Sequence, residues 1–323
     1  MADPAIDPGA RRRLLKATAA ALCCPAASAH AAWPPSAAPT REVTHALGRT
    51  KVPVAPARVI TLFQGATDTT VGLGVTPVGV VESWTQKPVY PYLRDRLQGV
   101  AQVGLETQPS LEDIVMLAPD LIVASRFRNE RIYSLLSRIA PTVALDDVFS
   151  FETSLATIAQ ALGRTEQAEI LLQRWHARTA RLGESLANAF GTQWPLTVSV
   201  LEFREDHVRA YMINSFSGNV LAQVGFTRSP QQSDDTQTLQ KITSYEAIPL
   251  LNAQIIFILM RSDRPAVRQN LQQWQGHPLW ARLDAVQGGR VYEVDNVAWS
   301  LAGGILGAGL MLDEIEHLLV RPA

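Results

Sequence analysis

Arginine side chains follow directly after one apolar segment of the sequence. Residues 121–124 (LIVA) have the composition of a buried strand, and Arg126, Arg128 and Arg131 come after it. A guanidinium group stays charged at physiological pH and grips carboxylates through two parallel hydrogen bonds. These residue types therefore favour the binding of an anion. For Arg131, pairing with an acidic neighbour on a solvated helix face is the stronger expectation.

Two more arginines follow apolar segments in the second half of the chain. Arg204 comes after LTVSVLEF, and Arg261 comes after QIIFILM. In open α/β sheets the ligand crevice lies outside the carboxyl ends of the strands. We therefore expect both side chains to face one crevice, and the alternative for each is a surface arginine at a strand end.

Short apolar segments alternate with helix-like segments along most of the chain. RVITL, PVGVV, DLIVA and TVAL predict strands, whereas ATDTTVGLG, SLEDIVMLA and residues 129–139 predict helices. Ser110 is the expected N-cap of the second helix, with Glu112 and Asp113 in its first turn. Fully apolar strands between helices indicate a parallel sheet that is covered on both faces.

A long helix is predicted over residues 165–190. Apolar side chains recur there at helical spacing, and Gly163 is the weak point of the pattern. A helix of this length would extend about 38 Å at 1.5 Å per residue, enough to join two lobes rigidly.

The second half of the sequence repeats a pattern of the first half. The run Ser110-Leu111-Glu112, followed by an apolar strand, recurs 134 residues later as Ser244-Tyr245-Glu246. Chance similarity between two short units is one explanation. The other is two lobes of one architecture, each offering strand ends to a shared cleft.

The N-terminal segment predicts export. Arg11, Arg12 and Lys16 precede a short, weakly apolar run, which follows the twin-arginine signal pattern, with cleavage expected after Ala29 or Ala31. A charged tail and a lipoprotein signal at Cys23 or Cys24 are the alternatives. Both cysteines of the chain lie in this segment, so we expect a periplasmic protein without disulfides.

The predicted segments are 1–31 signal peptide, 32–57 linker and edge strand, 58–150 first lobe, 151–190 linking helix and 191–323 second lobe.

Composition excludes several functional classes. The formal net charge is −1 and no low-complexity tract or basic run suggests nucleic acid, so we expect no nucleic-acid partner. The six histidines are scattered without metal-ligand spacing, and we predict neither a metal site nor an intrinsic cofactor. The glycines of GLGVTPVG precede a strand instead of following one, which argues against an exported redox enzyme. No G-x-S-x-G elbow is present, and we predict no catalytic residues.

Four segments together resemble one known family. They are VGLETQPSLEDIVMLAPDLIVAS, IAPTVAL, SFSGNVLAQVGF and HPLWARLDAVQGGRVYEVDNVAW. They resemble the periplasmic binding proteins that deliver ferric siderophores to ABC importers, the iron(III)-dicitrate branch first and the ferric-hydroxamate branch next. The resemblance implies two Rossmann-like α/β lobes with parallel sheets, a long rigid linking helix and a shallow cleft, the class III type. It also implies a monomer that carries iron as a chelate and partners a membrane permease.

The resemblance also implies roles for individual residues. Arg128 falls where dicitrate-binding relatives carry arginine, and Glu112 and Glu246 fall where the family docks on its permease. Trp299 matches a tryptophan near the cleft rim. Trp84 and Tyr90 follow a predicted strand on the cleft side. The expected ligand-binding residues are Arg126, Arg128, Arg204, Arg261, Trp84, Tyr90 and Trp299.

Two positions depart from the family pattern. Glu106 stands where relatives often have an arginine, and it would repel a citrate carboxylate or accept a hydrogen bond from a ligand. Residues 300–303 (SLAG) stand where relatives can carry arginines. These departures leave a ferric hydroxamate, haem or a corrinoid as alternative ligands.

Overall fold

Two sheets, each covered by helices, form the body of the chain. The computed structural model describes residues 39–320. The predicted signal peptide, its cleavage sites and the start of the linker lie outside these residues. No helix within the described part is long and apolar enough to cross a membrane.

The N-terminal lobe contains a six-stranded sheet. Its strand order is β6-β5-β4-β3-β7-β8, and only the short β6 runs antiparallel to its neighbour. Strands β3, β7 and β8 are buried along their whole length because helices cover both faces. The strands are β3 Val59–Thr61, β4 Gly79–Glu82, β5 Ala101–Leu105, β6 Gln108–Pro109, β7 Leu121–Ser125 and β8 Thr142–Leu145.

Short helices connect these strands. Residues 126–139 differ from the single predicted helix over 129–139, because they form two helices separated by a 3₁₀ turn at Glu130–Ile132. The Ser125 hydroxyl accepts from the Arg128 amide, so helix formation begins at the arginines themselves. The helices are α1 Gln64–Gly72, α2 Leu111–Met116, α3 Arg126–Asn129, α4 Tyr133–Ile139 and α5 Phe151–Leu162, with a 3₁₀ turn at Pro91–Leu93.

A β-hairpin precedes this sheet, within the segment 32–57 where a linker and edge strand were expected. It consists of β1 (Thr40–His45) and β2 (Gly48–Pro53). Val43 and Val52 are buried in the core of the N-terminal lobe. The Ala46 amide donates to the carbonyl of Ala144 on β8, so the hairpin covers that edge of the sheet.

The C-terminal lobe contains a five-stranded mixed sheet of order β11-β10-β9-β12-β13. Strands β9, β12 and β13 are parallel, as expected for the central part of the sheet, whereas β10 runs antiparallel to both of its neighbours, β9 and β11. Buried and half-buried residues alternate along β10, as in a strand with one covered face. The strands are β9 Val198–Phe203, β10 Val208–Tyr211, β11 Leu239–Ile242, β12 Ile255–Met260 and β13 Val291–Val294.

Helices and tight turns complete the second lobe. The final helix begins with a contact to the first lobe, because the amides of Leu306 and Gly307 in its first turn donate hydrogen bonds to Asp68. The helices are α7 Phe216–Val224, α8 Pro265–Gln275, α9 Asp284–Gln287 and α10 Ile305–Leu319, with 3₁₀ turns at Gly191–Gln193, Pro230–Gln232, Tyr245–Leu251 and Trp280–Arg282 and a π turn at Val297–Leu301.

The long predicted helix is α6, Thr165–Phe190. Its N-terminal Ala168 packs in the core of the first lobe, and its Trp175, Leu182 and Leu186 pack in the core of the second. Gly163, at φ +69°, ends α5 in the left-handed conformation. The segment 151–190 is therefore two helices, and both contact the two lobes, since Phe151 of α5 packs in the core of the second lobe and Leu155 in that of the first.

The repeated sequence pattern corresponds to repeated structure. The Ser110 hydroxyl caps α2 by accepting from Asp113, and the Ser244 hydroxyl accepts from the Glu246 amide. The strands that follow, β7 and β12, each lie between two parallel neighbours. The second copy forms a 3₁₀ helix because Pro249 lies inside it and lacks the amide hydrogen that an α-helix needs there.

A buried carboxylate joins the two lobes. Asp68 on α1 is fully buried and accepts hydrogen bonds from the amides of Leu306 and Gly307, each at 2.9 Å, at the start of α10. The Tyr92 hydroxyl donates to it at 2.7 Å. Burial raises the pKa of Asp68 to about 6 despite these three donors. The N-terminus of α10 is thus fixed to the first lobe.

Asp68→Asn is predicted to lower the free energy of unfolding by about 1–3 kcal/mol. All three partners donate, and the amide group of asparagine turns one donor toward them. Chemical denaturation at pH 8, above the pKa of Asp68, measures the loss. Asp95→Asn, at an exposed position near Tyr92, is the control and should change stability by less than about 0.5 kcal/mol. Equal stability of the two variants would contradict this role of Asp68.

Candidate functional site

A cavity of about 570 Å³ lies between the two lobes. Residues after β3, β4, β5, β7 and β8 line one wall, and residues of β9, β10 and the end of β12 line the other. The cavity therefore lies where the carboxyl ends of parallel strands place a ligand crevice. Its size suits a compact small-molecule ligand.

Three arginines on the C-terminal wall surround one carboxylate. Glu202 on β9 is fully buried, and its Oε2 accepts from Nε of Arg204 at 2.8 Å. Arg209 Nη1 lies 3.8 Å from the same carboxylate, and Arg261 Nη1 lies 3.9 Å from its other oxygen. We call Arg204, Arg209 and Arg261, with Glu202, the arginine cluster.

The arginine cluster keeps donors free for a ligand. Three guanidinium groups against one carboxylate give this wall a net charge of +2. The three arginine side chains remain 23–29% exposed while Glu202 is fully covered. Each guanidinium has five N–H donors, and one carboxylate cannot satisfy all of them. The remaining donors suit a ligand that carries carboxylates.

A second ion pair stands on the N-terminal wall. Arg128 Nε donates to Glu106 Oε1 at 3.4 Å. Glu106 Oε2 accepts from the Trp84 indole and from the Gln64 amide, each at 3.2 Å. Burial raises the pKa of Glu106 above its ordinary value, although Arg128 and the two other donors oppose the shift. Glu106 thus holds Arg128 and Trp84 at fixed positions.

Aromatic rings surround Arg128. Its guanidinium lies 5.4 Å from the Trp84 ring centroid and 4.7 Å from that of Phe127, distances at which cation–π attraction operates. Phe127 is 71% exposed, and Phe63 and Phe149 also line this wall. The N-terminal wall is therefore aromatic, with its one arginine neutralised.

The structure brings together most of the residues that the sequence singled out. Arg128, Arg204, Arg261 and Trp84 line the cavity. Trp299 forms part of its floor but is fully buried, because its ring packs 4.4 Å from Phe257 and its indole donates to Glu314 at 2.7 Å. Trp299 supports the floor and does not offer a free face.

Two predicted residues lie elsewhere, which corrects the expected placement. Arg126 points away from the cavity, because its guanidinium pairs with exposed Asp146. Tyr90 is fully buried in a small cluster with Val297 and Ala302, and it stacks on Tyr92 at 6.2 Å. Neither side chain reaches the cavity.

Three residues that line the cavity were not predicted from the sequence: Arg209, Glu202 and Phe127. Arg209 lies on the antiparallel strand β10, so reasoning from the ends of parallel strands could not reach it. The sequence VRAY could have indicated it, because small or apolar residues alternate there with Arg209 and Tyr211. This pattern predicts a strand with one buried face and one face on which Arg209 lies. Glu202 is the one charged residue of the buried strand β9, where a charge implies a partner.

The two predicted docking glutamates lie on the surface. Glu112 is exposed in the first turn of α2, and Glu246 is exposed in the 3₁₀ helix after Ser244. Met116, also on α2, is 82% exposed. Glu112 lies two residues after the capping Ser110, and Glu246 lies two residues after Ser244, so the two glutamates occupy equivalent positions in the two lobes.

Within residues 39–320, no three histidine, cysteine or acidic side chains are grouped as metal ligands.

A family model and several known proteins are similar to this chain. Residues 59–298 match the model of a family described as periplasmic binding protein. The chain is 53% identical over 263 residues to the achromobactin-binding periplasmic protein of Dickeya dadantii, covering 81% of this chain and 86% of that protein. It is 35% identical to the probable siderophore-binding lipoprotein YfiY of Bacillus subtilis, covering 88% and 90%.

A solved structure shares the architecture. Staphylococcus aureus SirA complexed with staphyloferrin B superposes with a TM-score of 0.82 at 40% identity, covering 86% of this chain and 97% of SirA. The two-lobed class III fold with its long helix is therefore confirmed.

Glu202→Gln is predicted to lower the free energy of unfolding by about 1–3 kcal/mol, because three arginines lose a buried counter-charge. Denaturant titration measures the change. Glu293→Gln is the matched control, since Glu293 pairs with Arg268 at 2.6 and 2.9 Å at the surface, where a pair contributes about 0–1 kcal/mol. A loss for Glu202→Gln no larger than for the control would show that Glu202 does not organise the cluster.

Proposed function

Because the chain belongs to the periplasmic binding protein family, we propose that it captures an anionic ferric siderophore and delivers it to an ABC importer. The observation that carries the proposal is the arginine cluster, which faces a cavity between two lobes. Members of the family are substrate-binding proteins and not enzymes, so the function is capture and release without bond chemistry.

The similar proteins support iron chelates as the class of ligand. The relative at 53% identity is named for achromobactin, the lipoprotein at 35% for a siderophore, and the SirA structure for staphyloferrin B. Iron is thus the cargo of this protein and arrives already chelated. Capture of such a cargo takes place in the periplasm, where the predicted signal peptide would direct the chain.

Charge selects the kind of chelate. A net charge of +2 on the C-terminal wall attracts a ligand that carries carboxylates at its surface. Iron(III) dicitrate is the simplest ligand of that description, and larger carboxylate siderophores share its chemistry. A ferric hydroxamate without free carboxylates would leave the arginine donors unpaired in a partly buried cavity, which costs affinity.

Preorganisation explains how the site would bind. Glu202 and Glu106 fix the arginines before the ligand arrives, so that little side-chain entropy is lost on binding. The long helix α6 and the Asp68 contact hold the lobes together. The cavity therefore accepts the chelate with small rearrangements, and Glu112 and Glu246 present the loaded protein to the permease.

Arg128→Ala and Arg209→Ala are each predicted to weaken binding of ferric dicitrate by about 1–3 kcal/mol. Arg209→Ala removes donors for charge-assisted hydrogen bonds, and Arg128→Ala leaves Glu106 as an unpaired negative charge that faces the ligand. Isothermal titration calorimetry measures the affinity. Arg126→Ala is the matched control, because Arg126 lies in the same short helix but outside the cavity. If the control weakens binding as much as the two variants, the cavity is not the ligand site.

Glu112→Arg combined with Glu246→Arg is predicted to abolish uptake of the ferric chelate and to leave binding intact. The reversed charges would repel arginines of the permease, while both positions lie outside the cavity. Uptake is measured with radioactive iron in cells that carry the importer, and binding is measured by calorimetry. Glu169→Arg combined with Glu184→Arg, on exposed positions of α6, is the control. Normal uptake by the Glu112/Glu246 variant would refute the docking assignment.

A further inference from the structure

The two walls of the cavity differ in charge. The C-terminal wall carries three arginines and one glutamate, whereas the N-terminal wall carries Arg128 and Glu106 alone among charged side chains of the lining. The net charges are thus +2 and 0. A ligand that bears negative charge on every side would meet attraction on one wall and none on the other.

Glu106 is the residue that creates this difference. Its side chain is 12% exposed, and both of its oxygens accept hydrogen bonds, from Arg128, Trp84 and the Gln64 amide. Arg128 is therefore held against a carboxylate of the protein, close to the rings of Trp84 and Phe127. A ligand carboxylate that approaches Arg128 also approaches Glu106, which has the same sign of charge.

We propose that Glu106 determines specificity, by neutralising Arg128 and so favouring chelates whose carboxylates lie on one face over chelates that carry them on opposite faces. This inference rests on the proposed capture of an anionic ferric siderophore. The preferred ligand presents its carboxylates to the arginine cluster and its less charged part to Trp84 and Phe127. Ferric dicitrate has a citrate on each side of the iron. Its affinity is therefore lower than it would be if Arg128 were as available to a ligand as the three arginines of the arginine cluster.

The test compares two probe ligands on wild-type protein and on Glu106→Gln. Glutamine keeps the length of the side chain and an acceptor for Trp84, but removes the charge that neutralises Arg128. We expect ferric dicitrate to bind about tenfold more tightly at low ionic strength, the scale of one charge-assisted hydrogen bond gained. A ferric trihydroxamate without free carboxylates should bind with unchanged affinity.

Three further variants separate charge from structure. Asp146→Asn frees Arg126 outside the cavity and should leave both affinities unchanged. The double variant Glu106→Gln/Arg128→Gln should lose the gain, because the wall becomes neutral again. Glu106→Met is a second neutral side chain of similar length, and it replaces Glu106→Gln if that variant does not fold.

The outcomes distinguish this inference from the proposed function. A selective gain for ferric dicitrate that disappears in the double variant supports the role of Glu106. If folded Glu106→Gln or Glu106→Met binds ferric dicitrate no more tightly than the wild-type protein does, the role of Glu106 is refuted. The proposed function still holds in that case, provided that the wild-type protein binds ferric dicitrate. If wild-type protein binds no ferric chelate, the proposed function fails and the inference fails with it.

Discussion

The buried carboxylate of Glu202 is the constraint on which the binding site depends. A charge without contact with water is tolerated only when it is paired, and here three arginines surround it near the carboxyl end of the central strand β9. The pairing is unequal, since three positive groups share one negative partner. The surplus positive charge stays directed at the cavity, so the residue that stabilises the cluster also orients it toward a ligand.

The rest of the fold keeps this cluster opposite an aromatic wall. The helix α6 packs its first turns into one lobe and its later turns into the other. Asp68 of the first lobe binds the amides of Leu306 and Gly307 in the first turn of α10. The close approach of Gly65 to Gly303, where a Cβ atom would lie 2.6 Å from a carbonyl oxygen, leaves no room for a larger side chain. These contacts set the spacing of the walls before any ligand arrives.

Sequence patterns predicted those parts of the structure that follow from local rules. The periodicity of residues 165–190 predicted α6 at its observed bounds, and strand ends predicted Arg128, Arg204 and Arg261 at one cavity. Contacts between segments that are distant in the sequence could not be predicted from these local rules. Arg126 and Arg128 are two residues apart, and only the fold shows that one meets Asp146 and the other Glu106. Arg209 was missed because its strand runs antiparallel to the strands whose ends were considered.

The most direct test of the central claim is a tryptophan-fluorescence titration of the purified protein. Trp84 lines the cavity beside Arg128, so a ferric chelate bound there quenches its emission. Ferric dicitrate, a ferric hydroxamate, a ferric catecholate and haem are compared at two salt concentrations. The account predicts saturable quenching by ferric dicitrate that weakens as salt increases, because arginines attract the ligand. Saturable quenching by haem or the hydroxamate alone, or no response to the carboxylate chelate, would contradict it.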